Sequence, residues 1–376
     1  MKQIQMVDLV SQYEKIKPEV IEATQNVFQT AQFINGPEVK TFQADLEKYL
    51  GVKHVIPCAN GTDALQIALM ALGLKPGDEV ITSDFTFAAT VEVIGLLQLT
   101  PIIVDVDKDT FNISLTEIEK AITPNTKAII PVHLFGQSCD MQPLLVLAKK
   151  HNIYVVEDTA QAIGAKYTFP DGTVKSAGTI GDIGTTSFFP SKNLGCYGDG
   201  GAIFTNDDEL AAIMRSVVNH GMGERYYYDR LGVNSRLDSV QAAVLRIKLG
   251  HLDDYIAARQ KAAAYYSNFF NDFDNVETPH IADYSTHVFH QYTLKIEGLD
   301  QFALQDFMKS KGVPAMIYYP MPLHTQKAYG AENFNHEDFP VTNALCKTVI
   351  SLPMHTELDE EQLNYICSAM KEFLNK

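Results

Sequence analysis

The sequence predicts an α/β chain, with a large domain built on a mainly parallel sheet and a smaller α+β domain at its C-terminal end. Three observations carry this. Short apolar runs alternate with helical periods from about residue 54 to 205, the pattern of a sheet covered by helices on both faces. The 376 residues, 46% of them hydrophobic, are enough for two or three domains with sizeable cores. After about residue 255 a long helical period leads into sparser strands. The expected division is 1–254 for the large domain, including an N-terminal helical segment, and 255–376 for the small one.

The elements follow in order. Residues 1–50 carry two helical periods, the second over 39–49 after the break Gly36-Pro37. A buried strand is expected at 54–58, then a turn through Ala59-Asn60-Gly61-Thr62-Asp63 into a helix over 64–72. A strand, a glycine turn and a helix N-terminus together form an anion site, because free amides and the helix dipole point at the same place. Further strands are expected near 80–82, 101–106, 128–132, 153–158, 182–188 and 201–205, with helices near 91–97, 115–121 and 141–151 between them. The segment 168–175 reads as a surface turn. A polar loop, Leu231 to Arg236, precedes an amphipathic helix. The later part predicts a helix over 255–270, strands over 290–296 and 315–318, and helices over 301–311 and 359–373.

Composition narrows the function. The net charge of −16 would repel a phosphate backbone, so nucleic acid is not an expected partner. Five scattered cysteines without CxxC spacing suggest neither a disulfide framework nor a zinc ribbon; they read as reduced thiols of a cytoplasmic protein. The apolar stretch 93–104 is interrupted by Gln98, Thr100 and Pro101 and is too short to span a bilayer. The N-terminus lacks the apolar core of a signal peptide.

The chemistry centres on Ser187-Phe188-Phe189-Pro190-Ser191-Lys192, followed by four glycines within nine residues. Desolvation lowers the proton affinity of a lysine and makes it a nucleophile or base. Lys192 among aromatics and glycines reads, from this segment alone, either as a solvated loop lysine or as one that carries pyridoxal phosphate as a Schiff base, the working reading here. Asp158, at the end of the 153–158 strand, is placed to pair with a protonated pyridine nitrogen, or else to cap a helix. Phe87, after a strand end, could stack on a flat ring or simply pack. Asn234 and Arg236 are donors in a loop, either an anion clamp or simply a solvent-facing turn. No GxGxxG follows the first strand, which disfavours a nicotinamide enzyme.

Taken together, Cys58 to Leu65, Glu157 to Gln161, Ser187 to Gly201 and Gly232 to Asp238 resemble the DegT/StrS-type nucleotide-sugar aminotransferases over nearly the whole chain. Within them the stretch from Ser187 is most similar to enzymes that aminate UDP-2-acetamido-2-deoxy-3-oxo-glucuronate for lipopolysaccharide and O-antigen synthesis. The resemblance implies fold type I of the pyridoxal-phosphate enzymes, the aspartate-aminotransferase-like fold. It implies that Lys192 holds the cofactor and Asp158 its ring nitrogen. Gln161 would touch the ring hydroxyl, Phe87 the ring face, and Gly61, Thr62 and Ser187 the phosphate. Asn234 would reach that phosphate from the neighbouring subunit of a homodimer. Arg236, Tyr319 and His324 would meet the sugar or a carboxylate, and no metal is implied. The amino donor expected is glutamate. Relatives that remove a hydroxyl carry histidine in place of the lysine, which Lys192 argues against. Two alternatives stand beside this reading: amination of a thymidine-linked 3-oxo or 4-oxo-6-deoxy sugar, and a non-catalytic ligand sensor on the same fold.

Overall fold

The computed structural model describes residues 2–375. The chain begins with helices α1 (Leu9–Thr30) and α2 (Pro37–Leu50), then strand β1 (His54–Cys58) and helix α3 (Gly61–Ala71). There follow β2 (Glu79–Ser83), α4 (Ala89–Leu96), β3 (Thr100–Val104), α5 (Leu115–Ala121), β4 (Thr126–Ile130), α6 (Met141–His151) and β5 (Tyr154–Asp158). Two short strands, β6 (Lys166–Thr168) and β7 (Val174–Ser176), precede β8 (Ile183–Ser187), β9 (Gly201–Thr205) and α7 (Asp208–Val217). A small hairpin of β10 (Met222–Glu224) and β11 (Tyr227–Tyr228) leads to α8 (Ser239–Gly250) and α9 (Leu252–Phe270). The remainder comprises β12 (Val276–Glu277), β13 (Tyr292–Ile296), α10 (Gln301–Ser310), α11 (Pro340–Thr348), β14 (Val349–Leu352) and α12 (Glu360–Leu374).

Seven strands form the main sheet in the order β1-β9-β8-β5-β4-β2-β3. The run from β8 to β3 is parallel throughout, while β9 is antiparallel to both of its neighbours. All strands but β9 therefore end on the same edge. Side chains alternate between faces, as strand geometry requires. Val55 and Phe204 join Phe42, Leu46 and Leu245 on one side. Their neighbours Ile56 and Ile203 face Ile67, Val93 and Met214 on the other. Burial on both faces explains the near-continuous apolar strands.

The C-terminal region packs α9, α10 and α12 on the antiparallel sheet β12-β13-β14. Here one expectation fails. Residues 315–318 are not a strand; Met316 makes one isolated bridge to Ser351, and the chain then turns away. β13 lies between β12 and β14, with Tyr292 opposite Leu352 and Leu294 opposite Ile350. Helix α3 also starts three residues earlier than expected, because the Asn60 side chain accepts the Asp63 amide at 2.8 Å and caps the first turn. The expected surface turn at 168–175 is the tip of the β6-β7 hairpin.

Candidate active site

The shared edge of the sheet opens on a cavity of about 1110 Å³. Strand C-terminal ends are where open α/β sheets bind ligands. Gly61, Thr62, Phe87, Asp158, Gln161, Ser187, Lys192 and Tyr319 all line it. Asn234, Arg236 and His324 do not. Asn234 is exposed and Arg236 half-buried on the segment before α8, outside this chain's own cavity wall.

The glycine at the start of α3 is required by close approach. A Cβ on Gly61 would sit 2.7 Å from the Ser187 Cβ, so β8 and the helix N-terminus can meet only without a side chain there. Both residues line the cavity together with Thr62. The helix dipole and first-turn amides thus face the same space as the Ser187 hydroxyl.

Asp158 ends β5 with its carboxylate oriented before any ligand arrives. Its Oδ2 accepts the Thr90 hydroxyl at 2.9 Å, and its Oδ1 accepts the Ala160 amide at 3.0 Å. Its backbone is fixed as well, with its N–H on the Pro131 carbonyl and its C=O accepting the His133 amide. Sequence reasoning missed Thr90, which lies in the first turn of a helix remote in sequence from Asp158. The adjacent Glu157 faces the opposite way. It is fully buried and accepts four bonds: from His133 Nε2 at 2.8 Å, and from the amides of Gly178 at 2.8 Å, Ile180 at 2.7 Å and Gly181 at 2.6 Å. Because the Cys139 amide donates to His133 Nδ1, that histidine carries its proton on Nε2.

Lys192 stands on the loop after β8, and what exposure it keeps is to the cavity. Burial lowers its proton affinity to about 8, against the opposing pull of Asp158. The carboxylate and the amine are therefore in electrostatic reach of each other. Phe87 is 59% exposed, and a large apolar ring left open in a cavity wall is available for stacking. Gln161 receives the Phe135 amide on Oε1 at 2.8 Å and directs Nε2 to the Tyr319 hydroxyl at 3.3 Å. Burial pushes the Tyr319 phenol far up, so it stays a neutral donor.

His324 requires a correction. It is buried, with its backbone N–H and Nδ1 both on Asp84 at 2.7 Å, and its Nε2 on His336 Nδ1 at 3.0 Å. Its ring stacks on Phe339 at 4.1 Å. It pins the 318–326 loop to the end of β2 and has no surface in the cavity. Tyr318 and His290 line the cavity instead, and neither stood among the expected site residues. Among the described residues, no group of three or more His, Cys, Asp or Glu side chains could hold a metal ion.

This donor set suits one flat, phosphorylated aldehyde: an anion cradle, an aromatic face, a buried carboxylate for a ring nitrogen, an amide for a ring oxygen and an amine of lowered proton affinity. Known proteins agree. The sequence profile of the DegT/DnrJ/EryC1/StrS aminotransferase family matches residues 14–371. The chain is 46% identical to a pleiotropic regulatory protein of Geobacillus stearothermophilus, covering 98% of each. It is 45% identical to the UDP-2-acetamido-2-deoxy-3-oxo-D-glucuronate aminotransferase of Pseudomonas aeruginosa, over 98% of this chain and 99% of that one. The crystal structure of DesV from S. venezuelae, in complex with a ketimine intermediate, superposes with a TM-score of 0.95 at 35% identity over all of both chains. The chain belongs to the DegT/DnrJ/EryC1/StrS aminotransferase family.

Proposed function

We propose that this sugar aminotransferase moves an amino group from glutamate to the 3-oxo position of a UDP-linked 2-acetamido sugar, most specifically UDP-2-acetamido-2-deoxy-3-oxo-glucuronate, in the making of surface polysaccharide. The observation that carries the reaction class is the placing of Lys192 and Asp158 in one cavity wall, with the amine lowered to about 8. The substrate reading is supported by the 45% identity to the Pseudomonas enzyme of that name.

The residues divide the work. Gly61, Thr62 and Ser187 would bind the phosphate of pyridoxal phosphate, Phe87 its face, and Gln161 its ring oxygen. When bound, that cofactor supplies an electron sink for the carbon that loses a proton. Asp158, preset by Thr90 and Ala160, would accept the ring N–H through a charge-assisted bond. Lys192 Nζ, as free amine, takes a proton from the amino donor's carbon and returns it as ammonium to the neighbouring position. Fixed geometry makes this a local transfer. Tyr318, Tyr319 and residues of the segment up to Tyr329 line one side of that cavity.

Charge supports a second copy of the chain. Lys192 is the sole Lys or Arg among the described residues lining the cavity, whereas a phosphate and a nucleoside diphosphate bring several negative charges. Asn234 and Arg236 of a second copy would supply donors from outside. Phe28, Phe33, Ile34 and Leu231, the last 89% exposed, give the apolar surface such a homodimer would cover.

The test is single-turnover amination of a panel of 3-oxo and 4-oxo nucleotide sugars by glutamate-treated protein. Turnover of the UDP-linked 3-oxo-uronate is expected. Turnover confined to thymidine-linked 6-deoxy sugars would overturn the substrate reading. A protein that stays colourless with pyridoxal phosphate and retains no borohydride-reducible band would overturn the class.

A further inference from the structure

The segment after β2 does two jobs. Thr86 and Phe87 stand in the cavity wall, while Asp84, 1% exposed, holds a loop that lines another part of it. The Asp84 amide is bound to the Val104 carbonyl at 2.9 Å, so its carboxylate starts from a fixed strand end. Oδ1 accepts the His324 backbone N–H and Oδ2 accepts the His324 Nδ1–H, each at 2.7 Å. The Asp84 carbonyl receives the Leu323 amide at 3.4 Å. Phe339 against the ring face and His336 at Nε2 close in the rest of the histidine. Leu323 and Gln326, on either side of this joint, both line the cavity.

A neighbouring acid supplies the contrast. Asp105 follows β3 as Asp84 follows β2, and the two strands run parallel with Ser83 opposite Val104. Asp105 accepts the amides of Val341 at 2.8 Å and Thr342 at 2.9 Å, and the Thr342 hydroxyl at 2.7 Å. Both acids thus tie the C-terminal region to the same edge of the sheet. Of the two joints, that of Asp84 carries residues of the cavity wall, whereas Val341 and Thr342 are not among them.

The two substrates use the cavity unequally. An amino donor has to reach only the Lys192 end. A keto nucleotide sugar carries a nucleoside diphosphate beyond its reacting carbon and must extend along more of the wall. Met321, Leu323, Gln326, Ala328 and Tyr329 are wall residues to which the cofactor reading assigns no contact. We infer that Asp84 and His324 are positioning residues for the sugar half of the reaction: their paired bonds fix the wall from Met321 to Tyr329 in the place that receives the nucleotide sugar. Without the Nδ1–H, the buried Oδ2 has to find water, and the joint must open to admit it.

The inference rests on this cavity being a sugar aminotransferase site, and it does not depend on which sugar is taken. Full-length holoprotein is assayed in halves. The glutamate half is followed by the spectral change of the cofactor, the sugar half with whichever keto nucleotide sugar of the panel the wild type aminates. His324→Phe keeps a ring against Phe339 and removes the Nδ1–H. It should raise KM for the sugar about tenfold, the lower end for a lost hydrogen bond to a charged group. Sugar kcat and the glutamate half should stay within about twofold, the mark of lost binding rather than lost chemistry. His324→Asn, which places an amide N–H near the Nδ1 position, should restore KM. His324→Gln, whose amide lies one carbon further out, should behave like Phe. Thr342→Val, which takes the equivalent hydroxyl from Asp105, should leave KM unchanged. A folded His324→Phe protein with the wild-type KM would refute the inference. So would equal slowing of both halves, or an equal rise of KM in Thr342→Val, since either marks general loosening. If the Phe variant fails to fold, equal KM values in the Asn and Gln variants would refute it. Turnover confined to thymidine-linked sugars would overturn the substrate reading and leave this test standing with those sugars.

Discussion

Two lysines in this molecule have the same lowered proton affinity and entirely different surroundings. Lys192 and Lys248 are each brought to about 8, in both cases chiefly by burial. Lys248, 1% exposed in α8, lies 5.2 Å over the Tyr197 ring. It is absent from the cavity wall, and its electrostatic neighbours are Cys196 and Arg259. Lys192 meets a cavity, a preset carboxylate and an anion cradle. A perturbed amine thus marks burial; only its companions make it a reacting group.

The largest expected effect separates the two directly. Lys192→Ala should lower turnover by about a thousandfold or more, the scale of losing a positioned acid-base group, and abolish the borohydride-reducible band. Lys248→Met should keep both. A fully active Lys192→Ala protein would erase the distinction. Next, the two acids ending β5 should fail in opposite ways. Asp158→Asn should cost about a hundredfold in turnover with an unchanged melting temperature, since a positioned charge is lost without a packing change. Glu157→Gln should retain the cavity chemistry but lose about 3 kcal/mol in denaturant unfolding, because an amide NH2 would face amide donors.

A third test concerns stability and pH. Lys248 falls from 10.5 to about 8 on folding. Below pH 8 the folded chain must hold a buried ammonium, and the full penalty applies. Between pH 8 and 10.5 the unfolded chain binds more protons, so stability rises with pH. Lys248→Met should therefore stabilise by about 3 kcal/mol at pH 7, with the gain fading as pH approaches 10.5. A gain independent of pH would show that packing, not charge, was responsible. The smallest effect belongs to Thr90→Val, expected to weaken pyridoxal phosphate retention by about tenfold, with Thr90→Ser restoring it.

Much of the site was legible in the sequence because sheet edges gather chain ends predictably. Asp158 and Ser187 close strands, Gly61 and Phe87 follow them, and the alternation that identified those strands also sets where they end. Residues whose role depends on distant partners were not legible. Thr90 matters through Asp158, 68 residues away in sequence. His324 looked available in its loop, yet Asp84, 240 residues earlier in sequence, takes both its backbone N–H and its Nδ1. The apolar run at 315–318 resembled a strand because a chain entering a cavity wall and one entering a sheet need the same kind of residues. Val349–Leu352, directly after α11, held the better pairing register.

The turn at Leu134–Gly136, where Phe135 takes φ +56°, has a consequence for Gln161. The Phe135 amide takes one acceptor site of Oε1 and so turns the NH2 end of Gln161 toward Tyr319 and the cavity. At this point the wall presents a hydrogen-bond donor, the Gln161 NH2 beside the Tyr319 hydroxyl. If the cofactor's ring oxygen lies against that NH2, as proposed above, an analogue stripped of the oxygen should bind more weakly, which a comparison of 3-deoxypyridoxal phosphate with the parent cofactor would measure.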